Sequence, residues 1–177
     1  MIPFVILDRD GVINADSPYY IKSVDEWQPL PGSLEAIGRL TTAGYRVFVA
    51  TNQAGISRGR LTLKTLHNIH QAMLREVEQY GGRIVDIKYC PHLPSDNCKC
   101  RKPEPGMLLE LADDYDLNLS QGYFVGDSVK DLNAAKSAGC KAVLVLSGNG
   151  RDTLTLVPDQ EPVYTDLAEF VDALITD

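Results

Sequence analysis

The stretch that decides the fold reads Phe4-Val5-Ile6-Leu7-Asp8-Arg9-Asp10-Gly11. Its apolar run, Phe4–Leu7, has the length and the β-branched content of a buried strand. The run ends directly at Asp8, and a second acid, Asp10, follows two residues later. The stretch therefore predicts a first strand that carries two carboxylates at its C-terminal end.

Outward from this strand, apolar strand patterns alternate with helical patterns. Further strands are predicted over 45–50, 84–89, 122–125, 142–146 and near Val163. Helices are predicted from an N-cap at Ser33, from an N-cap at Thr62, from near Pro105, through Leu132 to Gly139, and over 167–175. This alternation predicts an α/β fold, with a Rossmann-like parallel sheet covered by helices on both faces. We see no repeat or composition break, so we expect one domain over residues 1–177.

The composition limits the functions that this chain can have. Its formal net charge is -7, and an acidic surface argues against nucleic acid, because binding to phosphate backbones needs a basic stripe. No apolar run approaches the ~20 residues that span a bilayer, so we expect no membrane contact. The N-terminus lacks a basic region, so we expect a cytoplasmic protein. We also expect a monomer. Any phosphate site must concentrate cations locally, and the candidates are Arg9, Arg58, Arg60, Lys99, Arg101 and Lys102.

Polar residues follow three of the predicted strands at the point where each strand ends. They are Asp8, Thr51 and Asp127. In open parallel sheets, ligands bind at the carboxyl ends of the strands. We therefore expect these three side chains to meet at one edge of the sheet.

The pair Asp8 and Asp10 fits phosphate-transfer chemistry. The first carboxylate can attack phosphorus, and the second can protonate the leaving oxygen and later deprotonate water. A dianionic phosphate does not approach two carboxylates without a divalent cation, and Mg²⁺ suits such oxygen ligands, with Asp127 as a further one. Taken alone, an Asp-x-Asp sequence is also compatible with a solvated turn.

Two other segments can support the same chemistry. Thr51-Asn52 offers a hydroxyl and backbone N–H groups for a phosphate cradle, although a plain turn has the same composition. Lys102 can neutralise the phosphoryl oxygens, although a basic pair is also common on surfaces. Asp131 can brace Lys102, face the waters of a metal ion, or lie exposed in the first turn of a helix.

Together these segments resemble, in order, the four motifs of the haloacid dehalogenase-like (HAD) phosphatases. The matching segments are Asp8-Arg9-Asp10-Gly11-Val12-Ile13, Thr51-Asn52, Lys102-Pro103 and Gly126-Asp127-Ser128. The resemblance implies that Asp8 is the nucleophile, that Asp10 is the general acid and base, and that Thr51 and Lys102 hold the phosphoryl group. It implies Mg²⁺ on the carboxylates of Asp8 and Asp127 and the carbonyl of Asp10. The segments between motifs leave no room for a large cap domain.

A second cluster lies in the loop at about 90–100. Cys90, His92, Cys98 and Cys100 supply three thiolates and one imidazole, which together make a closed tetrahedral Zn²⁺ site with a structural role. The alternative is three unrelated thiols and a histidine. The fourth cysteine, Cys140, precedes an apolar strand and is predicted to lie in the core.

Within the superfamily, the zinc loop and the segments 51–56 and 100–103 resemble the D-glycero-D-manno-heptose 1,7-bisphosphate 7-phosphatases. That family removes the C7 phosphate in nucleotide-activated heptose and lipopolysaccharide core biosynthesis. The resemblance implies that Arg101 binds the distal phosphate, and that the sugar and phosphate are flanked by Asp16, Ser17, Pro18, Tyr19, Thr51, Asn52, Gln53, Ala54 and Lys102. Two departures are a zinc loop with five residues between His92 and Cys98, and Ser128 where some relatives carry a lysine.

Three other functions compete with this one. A histidinol-phosphate phosphatase shares the zinc loop and all four motifs, but its cationic substrate should favour an acid where Arg101 stands. A polynucleotide 3′-phosphatase has a similar core, but the net charge of -7 argues against it. A zinc-stabilised binding module without activity would have no need of the five motif residues Asp8, Asp10, Thr51, Lys102 and Asp127 together.

Overall fold

The computed structural model describes residues 2–176 and contains one six-stranded sheet in which every pairing is parallel. The strand order is β3-β2-β1-β4-β5-β6. The strands are β1 (Phe4–Leu7), β2 (Arg46–Asn52), β3 (Ile84–Cys90), β4 (Tyr123–Gly126), β5 (Lys141–Val145) and β6 (Val163–Tyr164). The predicted Rossmann-like sheet is confirmed.

Helices cover both faces of this sheet, because its central strands are apolar on both sides. The helices are α1 (Ser33–Thr42), α2 (Leu63–Gln79), α3 (Gly106–Tyr115), α4 (Val129–Ala138), α5 (Gly150–Leu156) and α6 (Leu167–Thr176). Side chains of α1, α2 and α6 pack into one apolar cluster, and side chains of α3 and α4 pack into a second. Between the predicted motifs lie only these helices, strands and loops, as expected for a core without a large cap.

The strand order places the polar strand ends together. β1 lies between β2 and β4, with Leu7 in register with Val49 on one side and Val125 on the other. The chain leaves β1 toward β2 and returns at β4, so connections run in opposite directions from this point and open a crevice there. Asp8 and Asp127 follow β1 and β4 at that crevice.

Three details differ from the sequence prediction. The N-cap of α1 is Gly32, with φ 80°, and the buried Ser33 hydroxyl donates instead to the Val12 carbonyl at 2.8 Å. β2 extends through Asn52, because it continues to pair with β3 up to Cys90. The helix α5 was not predicted, since seven residues carry too little periodicity to identify it.

Within residues 2–176, no helix has both the length and the apolar character needed to cross a membrane.

Candidate active site

A cavity of about 460 Å³ opens at the carboxyl ends of β1, β2 and β4. The strand ends supply its floor, and the loops after β1, β3 and β5 supply its walls. Its lining includes Asp8, Asp10, Asp16, Ser17, Tyr20, Asn52, Gln53, Arg101, Lys102, Asp127, Ser128, Lys130, Asp131, Asn149 and Asp152. The predicted convergence of acids and cations at one sheet edge is therefore present.

Asp8 lines this cavity, and one of its two carboxylate oxygens is hydrogen-bonded to protein donors. Its Oδ1 accepts hydrogen bonds from the Arg9 backbone N–H and from Lys102 Nζ, both at 2.8 Å. Its Oδ2 accepts none from the described residues and so is free to meet a ligand. Burial, followed by the charge of Asp131, raises the pKa of Asp8 well above its usual range, although Lys102 opposes this.

Lys102 is almost fully buried and joins two acids. Its Nζ lies 2.8 Å from Asp8 Oδ1 and 2.8 Å from Asp131 Oδ1, and it donates to the Ala50 carbonyl at 2.9 Å. Burial opposes the charge of Lys102, but the charges of Asp131 and Asp8 outweigh burial and raise its pKa. Asn52 holds the backbone of Lys102 through two bonds, at 3.0 and 3.1 Å.

Asp131 braces Lys102, which decides between the roles left open for it. Its second oxygen, Oδ2, accepts from the backbone N–H groups of Asp127 and Ser128 and from the Ser128 hydroxyl, at 2.9 to 3.2 Å. The bond from the Ser128 N–H, together with the bond that the Asp131 N–H donates to the Ser128 hydroxyl at 3.3 Å, forms a capping box at the start of α4. Both oxygens of Asp131 therefore have protein partners.

Asp10 is surrounded by donors. Its Oδ1 accepts from Arg9 Nε at 3.0 Å, Arg9 Nη2 at 2.8 Å and Asn14 Nδ2 at 2.9 Å. Gln53 Nε2 donates to Oδ2 at 3.1 Å and to the Thr51 hydroxyl at 3.0 Å. Burial opposes ionisation of Asp10, but Arg9 and these hydrogen bonds outweigh it and lower the pKa of Asp10.

Arg9 is fully buried, donates hydrogen bonds to Asp10 and does not line the cavity. Its Nη1 lies 3.1 Å from His70 Nε2, which faces it from α2. Burial and the charge of Arg9 lower the pKa of His70 to about 3, so the ring is neutral and accepts this hydrogen bond. Of the cations considered from sequence, Arg101 and Lys102 line the cavity, whereas Arg9, Arg58, Arg60 and Lys99 lie outside its lining.

Asp127 is the third buried acid. Its Oδ2 accepts from the Asn149 backbone N–H at 2.8 Å, and its Oδ1 accepts no hydrogen bond from the described residues. Burial, followed by the charge of Asp131, raises the pKa of Asp127 to about 7. Carboxylate oxygens of Asp8, Asp127 and Asp131 lie within 4.8 Å of one another.

This donor set fits Mg²⁺. The two oxygens without a protein donor belong to Asp8 and Asp127, and the Asp10 carbonyl likewise accepts no hydrogen bond from residues 2–176. Burial, followed by the charge of Asp131, raises the pKa of both acids, so a bound cation would favour their ionised forms. Hard oxygen ligands of this kind match the preference of Mg²⁺.

The four predicted zinc ligands also converge. Cys100 Sγ lies 3.2 Å from Cys90 Sγ and 3.6 Å from Cys98 Sγ, and His92 Nδ1 lies 3.2 Å from Cys100 Sγ. A disulfide would need about 2.05 Å, and all three cysteines are free thiols. Tetrahedral Zn²⁺ with bonds of ~2.3 Å separates its sulfur ligands by roughly 3.8 Å. The spacing is compatible with zinc.

This thiol cluster is tied directly to the cavity. The Arg101 backbone N–H donates to Cys98 Sγ at 3.4 Å, and Arg101 Nη1 donates to the His92 carbonyl at 3.4 Å. Ser57 Oγ fixes the other side of the loop by donating to the Pro91 carbonyl at 2.6 Å. Cys140, in contrast, is buried in the core and bonds to the Gly122 carbonyl.

The residues expected to bind substrate are placed unevenly. Asp16, Ser17, Asn52, Gln53 and Arg101 line the cavity with Lys102, whereas Pro18, Tyr19, Thr51 and Ala54 lie outside its lining. The Tyr19 side chain is 77% exposed, and Tyr20 with φ 67° lines the cavity in its place. Thr51 and Ala54 are buried, and the Thr51 hydroxyl accepts a hydrogen bond from Gln53.

The lining residues that were not identified from sequence include Lys130, Asn149 and Asp152. Lys130 lies in the first turn of α4, and Asn149 and Asp152 follow the end of β5. The available signal was their position after strand ends, the same signal that identified Asp8 and Asp127.

Comparison with known proteins places the chain in a family. Its residues 99–170 match the model of the HAD-hydrolase-like family. The chain is 49% identical over 172 residues to the D-glycero-beta-D-manno-heptose-1,7-bisphosphate 7-phosphatase of Pseudomonas aeruginosa, and the alignment covers 97% of each chain. It is 35% identical over 143 residues to the D-glycero-alpha-D-manno-heptose-1,7-bisphosphate 7-phosphatase of Campylobacter jejuni, and that alignment covers 81% of each chain.

The structural comparison agrees with the sequence comparison. The chain resembles the crystal structure of D,D-heptose 1,7-bisphosphate phosphatase from B. bronchiseptica, a structure complexed with magnesium and phosphate. The TM-score is 0.96, the identity is 48%, and 99% of each chain is covered. On this similarity over nearly its whole length, the chain belongs to the D-glycero-D-manno-heptose-1,7-bisphosphate 7-phosphatase family of the HAD superfamily.

Proposed function

We propose that this protein is a phosphoric monoester hydrolase that removes the C7 phosphate of D-glycero-β-D-manno-heptose 1,7-bisphosphate. The observation that carries the proposal is the pair of free oxygens on the buried acids Asp8 and Asp127, beside Asp10 and opposite Lys102. The β anomer is favoured because the relative at 49% identity carries the β name, whereas the relative named for the α anomer is at 35%. The reaction belongs to cytoplasmic biosynthesis of nucleotide-activated heptose for the lipopolysaccharide core.

Mg²⁺ would be held by the carboxylates of Asp8 and Asp127 and by the carbonyl of Asp10. When bound, it supplies charge neutralisation between the acids and the phosphate and polarises a phosphoryl oxygen. The magnesium and phosphate of the B. bronchiseptica structure support this assignment.

In the first step, an oxygen of Asp8 attacks the C7 phosphorus and forms an aspartyl-phosphate as the bond to the C7 oxygen breaks. The Asp8 carboxylate has one oxygen for the metal ion and one for the attack, because Oδ2 has no donor among the described residues and Oδ1 is released when Lys102 turns to the phosphoryl group. Asp10 protonates the C7 oxygen, which leaves as the sugar hydroxyl. Although Arg9 lowers the pKa of Asp10, the dianionic phosphate counteracts this when it binds, because a nearby negative charge favours the protonated acid.

In the second step, Asp10 takes a proton from water, and the water attacks the phosphorus of the aspartyl-phosphate. The products are inorganic phosphate and free Asp8. Lys102 is assigned to the phosphoryl oxygens, and its contact with Asp8 is the bond that it exchanges for the phosphoryl group. Thr51 is assigned to the same oxygens from the end of β2, although in this structure its hydroxyl accepts from Gln53 and it lies outside the cavity lining. Positioning and charge stabilisation supply most of the acceleration in reactions of this class.

The distal C1 phosphate is assigned to the cationic side of the cleft. Arg101 and Lys130 both line the cavity there. Arg101 suits this role because its planar guanidinium can donate two parallel hydrogen bonds to a phosphate. Asp16, Ser17, Asn52 and Gln53 are assigned to the sugar and the transferred phosphate, with Pro18, Tyr19 and Ala54 supporting their loops.

Zn²⁺ on Cys90, His92, Cys98 and Cys100 is proposed as a structural ion. Four protein ligands close a tetrahedral site and leave no position for a reacting water. The ion would hold Arg101 in place through the bonds from Arg101 to Cys98 and to the His92 carbonyl. We further propose that residues 1–177 act as one domain and as a monomer.

The proposal is tested by phosphate release with Mg²⁺ from four substrates: both heptose 1,7-bisphosphate anomers, histidinol phosphate and fructose 1,6-bisphosphate. We expect the highest kcat/KM for the β-heptose, with phosphorus NMR showing that the C1 phosphate is retained. An Asp8→Asn preparation controls for contaminating phosphatases. A preference for histidinol phosphate would overturn the proposed substrate and the role of Arg101.

A further inference from the structure

The loop between β5 and α5, residues 146–149, closes over the carboxylate of Asp127. The Ser147 hydroxyl donates to the Gly11 carbonyl at 2.7 Å, which ties this loop to the turn after β1. Asn149 donates to Asp127 Oδ2 twice, from its backbone N–H at 2.8 Å and from its side-chain Nδ2 at 3.3 Å. The loop therefore orients one of the two acids assigned to Mg²⁺.

Two glycines allow this close approach. A Cβ on Gly148 would lie 2.3 Å from Asp127 Oδ2 and 2.6 Å from the Gly11 Cα, and its φ of 56° also favours glycine. A Cβ on Gly11 would lie 2.1 Å from the same carboxylate oxygen. Backbone from two loops thus packs on Asp127, and this packing directs Oδ2 toward Asn149 while Oδ1 keeps no donor among residues 2–176.

The side chain of Asn149 has a second partner. Its Nδ2 donates to Asp16 Oδ2 at 3.1 Å, and Asp16 Oδ1 accepts from the Ser17 backbone N–H at 2.7 Å. A primary amide carries two N–H groups, so one Asn can satisfy two acids at once. One neutral side chain therefore bridges Asp127 and the segment assigned to the sugar.

The charges in this region explain why the bridge is an amide. Asp16 and Asp127 are both acids, and the same Asn149 Nδ2 lies 3.1 Å from Asp16 Oδ2 and 3.3 Å from Asp127 Oδ2. Asp16 and Asp127 are therefore near enough to repel each other. An amide donor between them reduces this repulsion, whereas a carboxylate at position 149 would increase it.

We infer that Asn149 is a positioning residue that couples the Asp127 carboxylate of the Mg²⁺ site to the substrate segment at Asp16. The inference rests on the proposed function, because the metal and the sugar are assigned there. Coupling of this kind is reciprocal: Mg²⁺ favours the arrangement of Asp16 that binds the sugar, and the bound sugar favours the arrangement of Asp127 that binds Mg²⁺.

The test uses Asn149→Ala, which removes the bridge and keeps the backbone N–H bond to Asp127. Calorimetric titration with Mg²⁺ alone should give a Kd about tenfold weaker than that of the unchanged protein, as for other residues that orient metal ligands. KM for the β-heptose bisphosphate should also rise about tenfold. Turnover of p-nitrophenyl phosphate at saturating Mg²⁺ should change less than about threefold, because this substrate has no sugar to place. Asn118→Ala, an exposed cap elsewhere, is the matched control and should change none of these values.

A second variant, Asp16→Asn, tests the bridge from its other end. If the bridge exists, the effects of Asn149→Ala and Asp16→Asn on the Mg²⁺ Kd are less than additive in the double variant. An unchanged Mg²⁺ Kd in Asn149→Ala, or additive effects in the double variant, would overturn the inference. Lack of heptose bisphosphate hydrolysis by the unchanged protein would overturn the proposed function alone, since the calorimetry still decides the role of Asn149.

Discussion

The acid cluster and the thiol cluster lie on neighbouring parts of the cleft, yet they are held in opposite ways. Asp8, Asp127 and Asp131 follow β1, β4 and the start of α4, and side chains or backbone groups of the protein bond to each of them. The sulfur and nitrogen ligand atoms of Cys90, His92, Cys98 and Cys100 contact mainly one another, with one backbone N–H donated by Arg101 to Cys98. The acids are held by groups at the sheet edge, whereas only Cys90 of the second cluster ends a strand and its other three residues lie in the loop after β3.

This difference separates the roles proposed for the two metals. Lys102 and Asn149 already hold the acids in place, so Mg²⁺ would add reactivity to a formed site. His92, Cys98 and Cys100 lie in the loop after β3, so zinc that binds them together with Cys90 would supply folding free energy to that loop. Loss of Mg²⁺ should therefore remove activity while the fold remains, and loss of zinc should disorder the loop that carries Arg101.

The largest expected effect comes from the centre of the acid cluster. Asp8→Asn removes the nucleophile and should lower kcat by at least ~10⁴, as for other enzymes that lose a nucleophile. The melting temperature should stay within a few degrees, because the amide keeps the shape of the side chain. Stopped-time phosphate assays and thermal melts measure the two quantities. A variant that keeps its phosphatase rate would show that Asp8 is not the nucleophile.

A substitution in the thiol cluster should change the zinc content and KM. Cys98→Ser should reduce bound zinc from about one equivalent to a small fraction, and KM for the heptose bisphosphate should rise at least about tenfold as Arg101 loses its support. Far-ultraviolet circular dichroism should be little changed, since the sheet does not include Cys98. Elemental analysis gives the zinc content. Full zinc occupancy with an unchanged KM would separate this loop from substrate binding.

The raised pKa of the acids predicts a pH effect on stability in the absence of Mg²⁺. Asp127 titrates at about 7 in the folded state and near 3.9 when unfolded, so the folded state binds the extra proton between these values. The contribution of Asp127 to stability must then fall as pH rises from 5 to 7, by at most about 1.4 kcal/mol per pH unit. His70, with its pKa lowered to about 3, contributes a slope of the opposite sign below about pH 6.5, so the Asp127 part is isolated by comparison with a variant. Urea unfolding at each pH measures this slope. The slope of the unchanged protein minus that of Asp127→Asn gives the Asp127 contribution, which should be negative and which saturating Mg²⁺ should suppress. A positive difference would contradict the raised pKa of Asp127.

The smallest expected effect tests whether Cys140 lies outside the thiol cluster. Cys140 is buried away from the other three cysteines and bonds to the Gly122 carbonyl at 3.3 Å. Cys140→Ala should cost about 1 kcal/mol of stability, from lost packing and one weak hydrogen bond, and should leave zinc and KM unchanged. It is also the matched control for Cys98→Ser. A loss of zinc in Cys140→Ala would place this thiol in the metal site.

The sequence predicted those features that depend on a local pattern of apolar and polar residues. The apolar runs identified the strands, and the polar residues after them identified Asp8 and Asp127, because strand ends of a parallel sheet share one edge. The brace between Lys102 and Asp131 was left open, since the residue types fit a surface pair equally well. Only the packing of α4 against the sheet brings these side chains within 2.8 Å.

Asn149 was missed for a related reason. In sequence, Asn149 lies in a Ser-Gly-Asn-Gly segment, which is typical of a turn. Its partners Asp127 and Asp16 lie 22 and 133 residues away, and no local pattern connects them. Pro18 and Tyr19 show the converse, because a resemblance between motifs assigns a whole segment to the substrate although only part of it lines the cavity.

The most direct test of this account is to trap the intermediate on Asp8. The variant Asp10→Asn lacks the base that activates water, and with p-nitrophenyl phosphate the first step needs no acid, because p-nitrophenolate leaves without being protonated. The phosphoryl group should therefore remain on the enzyme, and acid quenching with p-nitrophenyl phosphate and Mg²⁺, followed by mass spectrometry, should find one phosphoryl group on the peptide that contains Asp8. Release of p-nitrophenolate without a phosphoryl group on Asp8, or with the group on another residue, would contradict the account.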